Sequence, residues 1–117
     1  MGFFTKNEST FPWKKLTSTA ELETLWEQEV PFLIFKHSTR CSISSMALNQ
    51  FEQAWDLNNP VEIYYLDLLN HRDVSVKIEE ITGVVHQSPQ AILIRNKTVL
   101  YHNSHHAIDA SAIKSTL

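Results

Sequence analysis

Two kinds of hydrophobic pattern alternate along the chain. An unbroken apolar run, FLIF at 32–35, has strand length and predicts a central strand covered on both faces. From Ile43 to Trp55 the apolar positions recur every three or four residues, which predicts a helix with one apolar stripe. The segment VEIYYLDL at 61–68 is rich in β-branched and aromatic residues and predicts a second strand. A helical crossover between two strands makes them parallel and the connection right-handed.

Local signals predict the remaining elements. Ser18 and Glu21 have capping-box spacing and predict the start of a first helix. A third helix is expected over 73–82, with Gly83 as its stop. The strands QAILIR and TVLYHN, divided at 96–97, predict an antiparallel hairpin, and a last helix is expected over 107–117. The pattern therefore predicts an α/β fold with a four-stranded mixed sheet, two parallel strands plus a C-terminal hairpin, flanked by helices.

Composition and charge limit the classes of partner. The 117 residues suit a single domain, 1–117, with residues 1–12 expected to be poorly ordered. The formal net charge is −3, and no dense Lys/Arg block is present, which argues against nucleic acid. No apolar stretch is long enough for a signal peptide or a membrane span. We therefore expect a soluble, cytoplasmic protein without a membrane partner.

Cys41 is the only cysteine in the chain and lies between the FLIF strand and the second helix. If that helix starts at Cys41 or one residue later, the free N–H groups of Ile43 and Ser44 point toward the sulfur, and the helix dipole adds positive charge. Lys36, His37 and Arg40 are near in sequence. Cysteines in such surroundings react as thiolate nucleophiles. Ser42 adds a further donor beside the sulfur.

The spacing around Cys41 narrows the chemistry. A dithiol oxidoreductase places its resolving cysteine three residues after the nucleophile, where this chain has Ser44, so the motif is C-x-x-S. Any disulfide of Cys41 must form with another molecule, and turnover needs an external thiol. The simpler alternative is a buried cysteine that only packs, because free cysteine is among the most buried residue types. Its polar flanks favour a solvent-facing loop instead.

Pro89 stands directly before a predicted strand and gives a second signal. The Ser88-Pro89 bond has the position of a cis peptide, although an edge-strand proline is the simpler interpretation. The histidine-rich segment HNSHH at 102–106 lacks a cysteine or carboxylate at ligand spacing. We expect it to be a surface loop and expect no bound metal.

Together these residues carry a resemblance to known proteins. A strand ending at a helix-capping Cys, a second parallel strand, Pro89 and a closing hairpin and helix resemble the thioredoxin fold with an extra N-terminal helix. The segment FKHSTRCSIS resembles the T-C-P-I-S signature of the bacillithiol system YtxJ family, the monothiol bacilliredoxins. Arg40 stands where the signature has Thr, and Ser42 where it has Pro. A proline in the first helical turn is replaceable, since its missing N–H would be unpaired anyway.

The resemblance implies a specific reaction. Members of this family remove bacillithiol from mixed disulfides on client proteins, with bacillithiol as co-substrate and no bound cofactor. It implies that Cys41 is the nucleophile, that Ser88 presents its backbone to the disulfide partner, and that Pro89 shapes the site. Arg40, Ser42, Ile43 and Ser44 are then expected to stabilise the thiolate or bind substrate. The alternative is a non-catalytic thioredoxin-like binding module whose single cysteine is only a target of S-thiolation.

Overall fold

The computed structural model describes residues 11–117, and residues 1–10, most of the segment expected to be poorly ordered, lie outside the described part. The described elements follow in chain order: β1 (Lys14–Lys15), α1 (Thr19–Glu27), β2 (Phe32–His37), α2 (Ser42–Ala54), β3 (Glu62–Asp67), α3 (Arg72–Thr82), β4 (Gln90–Arg95), β5 (Thr98–Ser104), a 3₁₀ turn (His105–Ala107) and α4 (Ala110–Thr116).

The strands form one mixed sheet in the order β1-β3-β2-β4-β5. β2 pairs with β3 in parallel, and β4 and β5 form the antiparallel hairpin, both as the sequence predicts; β2 also pairs with β4 antiparallel. The expected count of four strands is wrong, because β1 adds a fifth at the edge, parallel to β3. β1 contains only two lysines, which is too short to produce a hydrophobic period that a sequence pattern would reveal.

The central strand divides the core into two layers. All six residues of β2 are buried, as a strand covered on both faces requires. Phe32 and Ile34 pack with α1 and α3, whereas Leu33 and Phe35 pack with α2 and α4. Because side chains alternate along a strand, the next two residues, Lys36 and His37, also point to opposite faces.

The helix ends follow the local signals. The Ser18 side chain accepts a hydrogen bond from the Glu21 amide at 3.1 Å, and α3 ends at Gly83, which has a φ of 73°. Asn96 and Lys97 both have positive φ, as a tight hairpin turn requires. The expected last helix is divided: residues 105–107 form a 3₁₀ turn, and α4 begins at Ala110. The carboxylate of Asp109 accepts from the amides of Ser111 and Ala112 and so sets that start.

Candidate active site

Cys41 lies at the C-terminal edge of the sheet, where β2 passes into α2. The chain leaves β2 at His37 and turns through 38–41, with the Cys41 amide donating to the Ser38 carbonyl at 3.2 Å. Helix α2 begins at Ser42, so Cys41 is its N-cap residue, as the sequence predicts, and it is half-buried. Ligands of open α/β sheets gather beyond this edge of the parallel strands.

The backbone of Cys41 starts the helix, but its side chain does not cap it. The Cys41 carbonyl accepts from the Ser45 amide at 3.0 Å, whereas the sulfur receives no cap hydrogen bond. The amides of Ile43 and Ser44, which the sequence predicts to point toward the sulfur, therefore make no cap hydrogen bond to it. Thiol sulfur is a weak acceptor, unlike the oxygens of Ser18 and Asp109 that cap α1 and α4. The sulfur is consequently left without an internal cap partner at the positive end of a helix.

Ser44, three residues after the cysteine, is fully buried and serves the scaffold. Its hydroxyl accepts from the Ser38 amide at 3.1 Å and lies 2.8 Å from Nδ1 of His37. The position of a resolving cysteine is thus held by an oxygen that already has two partners in the strand end and the turn. These contacts fix the first turn of α2 against β2.

His37, the last residue of β2, is the other half of this anchor. It is 4% exposed, pairs with Asp67 in the β2–β3 register, and its ring lies 5.5 Å from that of Tyr65. Burial lowers the pKa of His37, and the nearby Asp67 carboxylate and Ser44 partly offset this. The imidazole is therefore held neutral at physiological pH, which suits its hydrogen bond to a hydroxyl.

Pro89 lies at the same edge, one residue before β4. The Ser88-Pro89 peptide is cis, which the sequence alone left open. Gln90 pairs with Lys36, so Pro89 comes beside the end of β2, and the Pro89 carbonyl accepts from the His105 amide at 3.0 Å. The Ser88 hydroxyl is buried and has no hydrogen-bond partner within the described residues. The predicted site residues Cys41, Ser88 and Pro89 therefore belong to one edge of the sheet.

The surface around this edge combines charged, polar and apolar side chains. Arg40 and Ser42, the two departures from the family signature, are exposed on either side of Cys41. Ile43 and Met46 on the first turns of α2 are 54% and 61% exposed, and Val85 before the cis peptide is 67% exposed. Exposed large apolar residues close to a reactive edge are typical of a contact surface for other proteins.

Lys36 has a different place from the one its sequence position suggests. It is near Cys41 in sequence, but its side chain lies on the α1 and α3 face of the sheet, opposite to α2. The Lys36 amine is 2.6 Å from Nδ1 of His86 in the loop before Pro89. Sequence reasoning missed this pairing and the His37–Ser44 contact. The available signal was two polar residues, Lys36 and His37, continuing an apolar strand.

Two other sequence features have clear locations. Asp67 is half-buried. Its Oδ2 accepts a hydrogen bond from the side-chain amide of Asn70 at 2.8 Å, while its Oδ1 has no partner within residues 11–117. The carboxylate lines a cavity of about 830 Å³ together with Trp13, Leu48 and Tyr65. The HNSHH segment, expected to be a surface loop, instead forms the end of β5 and the first two residues of the 3₁₀ turn, so that expectation is wrong. No group of three or more His, Cys, Asp or Glu in the described part of the chain is placed to hold a metal ion.

Known structures share this architecture. A thioredoxin-fold structure with a provisional oxidoreductase assignment is 30% identical, with a TM-score of 0.79, covering 90% of this chain and 93% of that one. Thioredoxin from Trypanosoma brucei brucei is 14% identical, with a TM-score of 0.71 and coverage of 96% and 94%. Mitochondrial thioredoxin 3 from Saccharomyces cerevisiae is 17% identical, with a TM-score of 0.68 and coverage of 88% and 91%. The latter two matches show the fold alone.

Fold and site together define the class. A cysteine at a helix N-terminus, beside a cis proline on a thioredoxin-type sheet, places the chain among thioredoxin-fold proteins with a thiol-redox role. Residues 14–113 match the family described as monothiol bacilliredoxin BrxC. The chain belongs to this family, as the resemblance of its active-site segment indicates. No helix in residues 11–117 has the length and apolar character needed to cross a membrane.

Proposed function

We propose that this protein is a monothiol thiol-disulfide oxidoreductase that removes bacillithiol from mixed disulfides on client proteins. The observation that carries the proposal is that Ser44, and not a second cysteine, stands three residues after Cys41. The only cysteine of the chain has no internal cap partner, and the resolving position is a buried serine whose hydroxyl is engaged. An internal disulfide is therefore impossible, and each catalytic cycle must pass through a mixed disulfide with a second molecule.

The reaction proceeds by two thiol-disulfide exchanges. The Cys41 thiolate attacks the bacillithiol sulfur of the mixed disulfide, forming a bond between Cys41 and bacillithiol and breaking the bond to the client. The client sulfur leaves as a thiolate and takes a proton from water. A second bacillithiol, as its thiolate, then attacks the bound bacillithiol sulfur and releases oxidised bacillithiol, and Cys41 returns to its thiolate. Over the cycle the client sulfur is reduced to a thiol and the second bacillithiol sulfur is oxidised, so one disulfide bond is replaced by another and no further oxidant or reductant is needed.

The surroundings of Cys41 supply the groups that this reaction needs. The amino-terminal end of α2 presents the positive end of the helix dipole to Cys41, and Arg40 and Ser42 add an exposed charge and an exposed hydroxyl on either side of it. The backbone at Ser88, before the cis proline, would pair with the backbone of the bound partner. Ile43, Met46 and Val85 offer apolar contacts to a client protein. The expected site of action is the cytoplasm, where small thiols keep cysteines reduced.

The test is catalytic turnover. The substrate is a stable reporter protein whose single surface cysteine carries bacillithiol, mixed with reduced bacillithiol and a substoichiometric amount of this chain. We expect many reporter molecules to be released per chain, and none above the uncatalysed rate with Cys41→Ser, which keeps the size of the side chain. Release limited to one reporter per chain would instead identify Cys41 as a passive target of S-thiolation in a binding module.

A further inference from the structure

A second group of polar residues lies behind the sheet, away from Cys41. Lys36 is the largest polar side chain in the core, 0% exposed, and faces α3. Its amine lies 2.6 Å from Nδ1 of His86, and the Ser75 hydroxyl of α3 lies 3.3 Å from the same nitrogen. Burying an amine costs free energy unless the amine is hydrogen-bonded. The contact with His86 offsets this cost and connects Lys36 to the segment that contains His86.

The partner of Lys36 is in the loop that delivers the cis proline. This loop, residues 84–89, connects α3 to β4. Its backbone is held at three consecutive residues: the Val85 carbonyl accepts from the Gln90 side chain at 3.0 Å, the His86 amide donates to Glu79 at 3.3 Å, and the Gln87 amide donates to Gln90 at 3.4 Å. Gln90 is 2% exposed and pairs with Lys36 across β2 and β4. The loop is thus fixed from the interior of the protein.

The positive charge of the Lys36 amine determines the protonation state of the His86 imidazole. An ammonium group can only donate, so Nδ1 of His86 must be unprotonated and the ring neutral. Burial lowers the pKa of His86, and the Lys36 charge lowers it further, which agrees with a neutral ring. Burial also lowers the pKa of Lys36 to about 8, partly offset by the Glu79 carboxylate. His86 of the loop and the Glu79 carboxylate of α3 act on the amine, and the Ser75 hydroxyl of α3 contacts the same nitrogen of His86.

We propose that Lys36 is a positioning residue: through His86 it fixes the loop that carries Ser88 and Pro89, and thereby sets where a client disulfide meets Cys41. The proposal rests on the proposed function for its kinetic consequence. It adds that two separate contacts hold the site, His37–Ser44 on the α2 face of the sheet and Lys36–His86 on the α3 face. The Lys36–His86 contact changes when Lys36 loses its proton. Loosening the loop weakens the alignment of the client and leaves the sulfur itself unaffected.

The kinetic test compares Lys36→Met with Lys77→Met, which removes a partly exposed lysine that pairs with Glu23 on the outer face of α3. We expect Lys36→Met to lower kcat/KM for the bacillithiolated reporter about tenfold, mostly through KM, because a small displacement of a binding segment has effects of this order or larger. Alkylation of Cys41 by iodoacetamide, which needs no client contact, is expected to keep the wild-type rate in both variants. Lys77→Met is expected to keep both rates.

His86→Ala provides a second variant that removes the other end of the contact. His86 is exposed, so its replacement removes no core side chain, although it leaves the buried Lys36 amine without its partner at 2.6 Å. We expect the same loss of kcat/KM as for Lys36→Met. The proposal is overturned if either variant keeps kcat/KM within twofold of wild type, or if alkylation of Cys41 falls in parallel, which would mean a general disruption of the site.

A spectroscopic test does not depend on the identity of the substrate. In the wild type, the ring nitrogens of His86 and the amides of residues 87–88 should shift in NMR spectra with a midpoint near pH 8, the value to which burial brings Lys36. These shifts should vanish in Lys36→Met and persist in Lys77→Met. If the shifts occur but the wild type does not turn over the reporter, the positioning holds and the proposed function fails. If turnover occurs without any shift near pH 8, the positioning proposal fails alone.

Discussion

Lys36 and His37 are consecutive, buried and polar, yet they support opposite halves of the candidate site. His37 faces α2 and, through Ser44, fixes the turn that carries Cys41, whereas Lys36 faces α3 and reaches the loop that carries Pro89. The difference follows from the alternation of side chains along β2. The end of one central strand thus holds both the turn that carries Cys41 and the opposing loop, one on each face of the sheet. Variants at either position should therefore affect different properties.

The largest effect on stability is expected on the α2 side. Ser44→Ala leaves the Ser38 amide and the His37 ring without their partner in a site that is 0% exposed. Loss of buried hydrogen bonds of this kind costs about 2–3 kcal/mol. Urea denaturation should show a lower free energy of unfolding by this amount, with the m-value unchanged. A loss below about 0.5 kcal/mol would mean that water replaces the hydroxyl and that Ser44 is not an anchor.

A somewhat smaller effect on the free energy of unfolding is expected from Lys36, on the α3 side of the sheet, and this effect depends on pH. The pKa of Lys36 is lowered from 10.5 to about 8, so between these values the unfolded chain binds more protons than the folded protein. Stability from this group therefore rises with pH above 8, because the cost of burying the charge is relieved. The rise between pH 8 and 9.5 should be about 2 kcal/mol at most.

Lys36→Met isolates that contribution. Methionine fills a similar space without a charge, so the variant should be at least as stable as wild type at pH 7 and should lack the alkaline rise. Urea denaturation at several pH values measures both. A variant that is much less stable at pH 7, or that keeps the rise, would show that Lys36 contributes stability in its charged form and would contradict the comparison with Ser44.

At acidic pH, His37 should cause a smaller change in the free energy of unfolding than Lys36 causes at alkaline pH. Burial lowers the pKa of His37 below the 6.5 of a free histidine, so below pH 6.5 the unfolded chain takes up a proton that the folded protein resists. Stability from this group is therefore lost as the pH falls through this window, and the neighbouring Asp67 and Ser44 reduce the size of the loss. His37→Gln should flatten this part of the profile relative to wild type. An unchanged acid limb would exclude His37 as its origin.

The smallest change is expected for the surface reference. Lys77 and Glu23 form an ion pair of 3.3 Å between α3 and α1, with both side chains in contact with solvent. Exposed pairs of this kind contribute at most about 0.5–1 kcal/mol and are screened by salt. Lys77→Met should accordingly shift the free energy of unfolding by no more than this, with no new pH dependence. A larger shift would make it unsuitable as the control for Lys36→Met.

Much of this architecture could be predicted from the sequence because it depends on local patterns. The apolar run of β2 and the start of α2 next to Cys41 follow from the hydrophobic periodicity, and the start of α1 follows from the capping preference of Ser18. The edge strand β1 could not be predicted, since its two lysines have no pattern and it exists only through pairing with Tyr64 and Tyr65.

The two supports of the site lie beyond sequence reasoning for a different reason. The polar residues Lys36 and His37 gave a signal, and alternation alone implies that they face opposite ways. Their partners, however, are set by tertiary packing. The Cys41 sulfur makes no cap hydrogen bond, although it lies at the start of α2. Lys36 and His86 are 50 residues apart in the sequence. Long-range pairs of this kind depend on how the loops close over the sheet.

The most direct measurement is a single turnover followed by mass spectrometry. The bacillithiolated reporter is mixed with an equal amount of this chain, without free bacillithiol, and both proteins are weighed over time. The account predicts that bacillithiol moves from the reporter to Cys41 while the reporter thiol is released. If bacillithiol remains on the reporter while Cys41 stays unmodified, Cys41 is not the nucleophile. If the two proteins become linked to each other, Cys41 attacks the client sulfur, and the proposed transfer of bacillithiol to Cys41 is wrong.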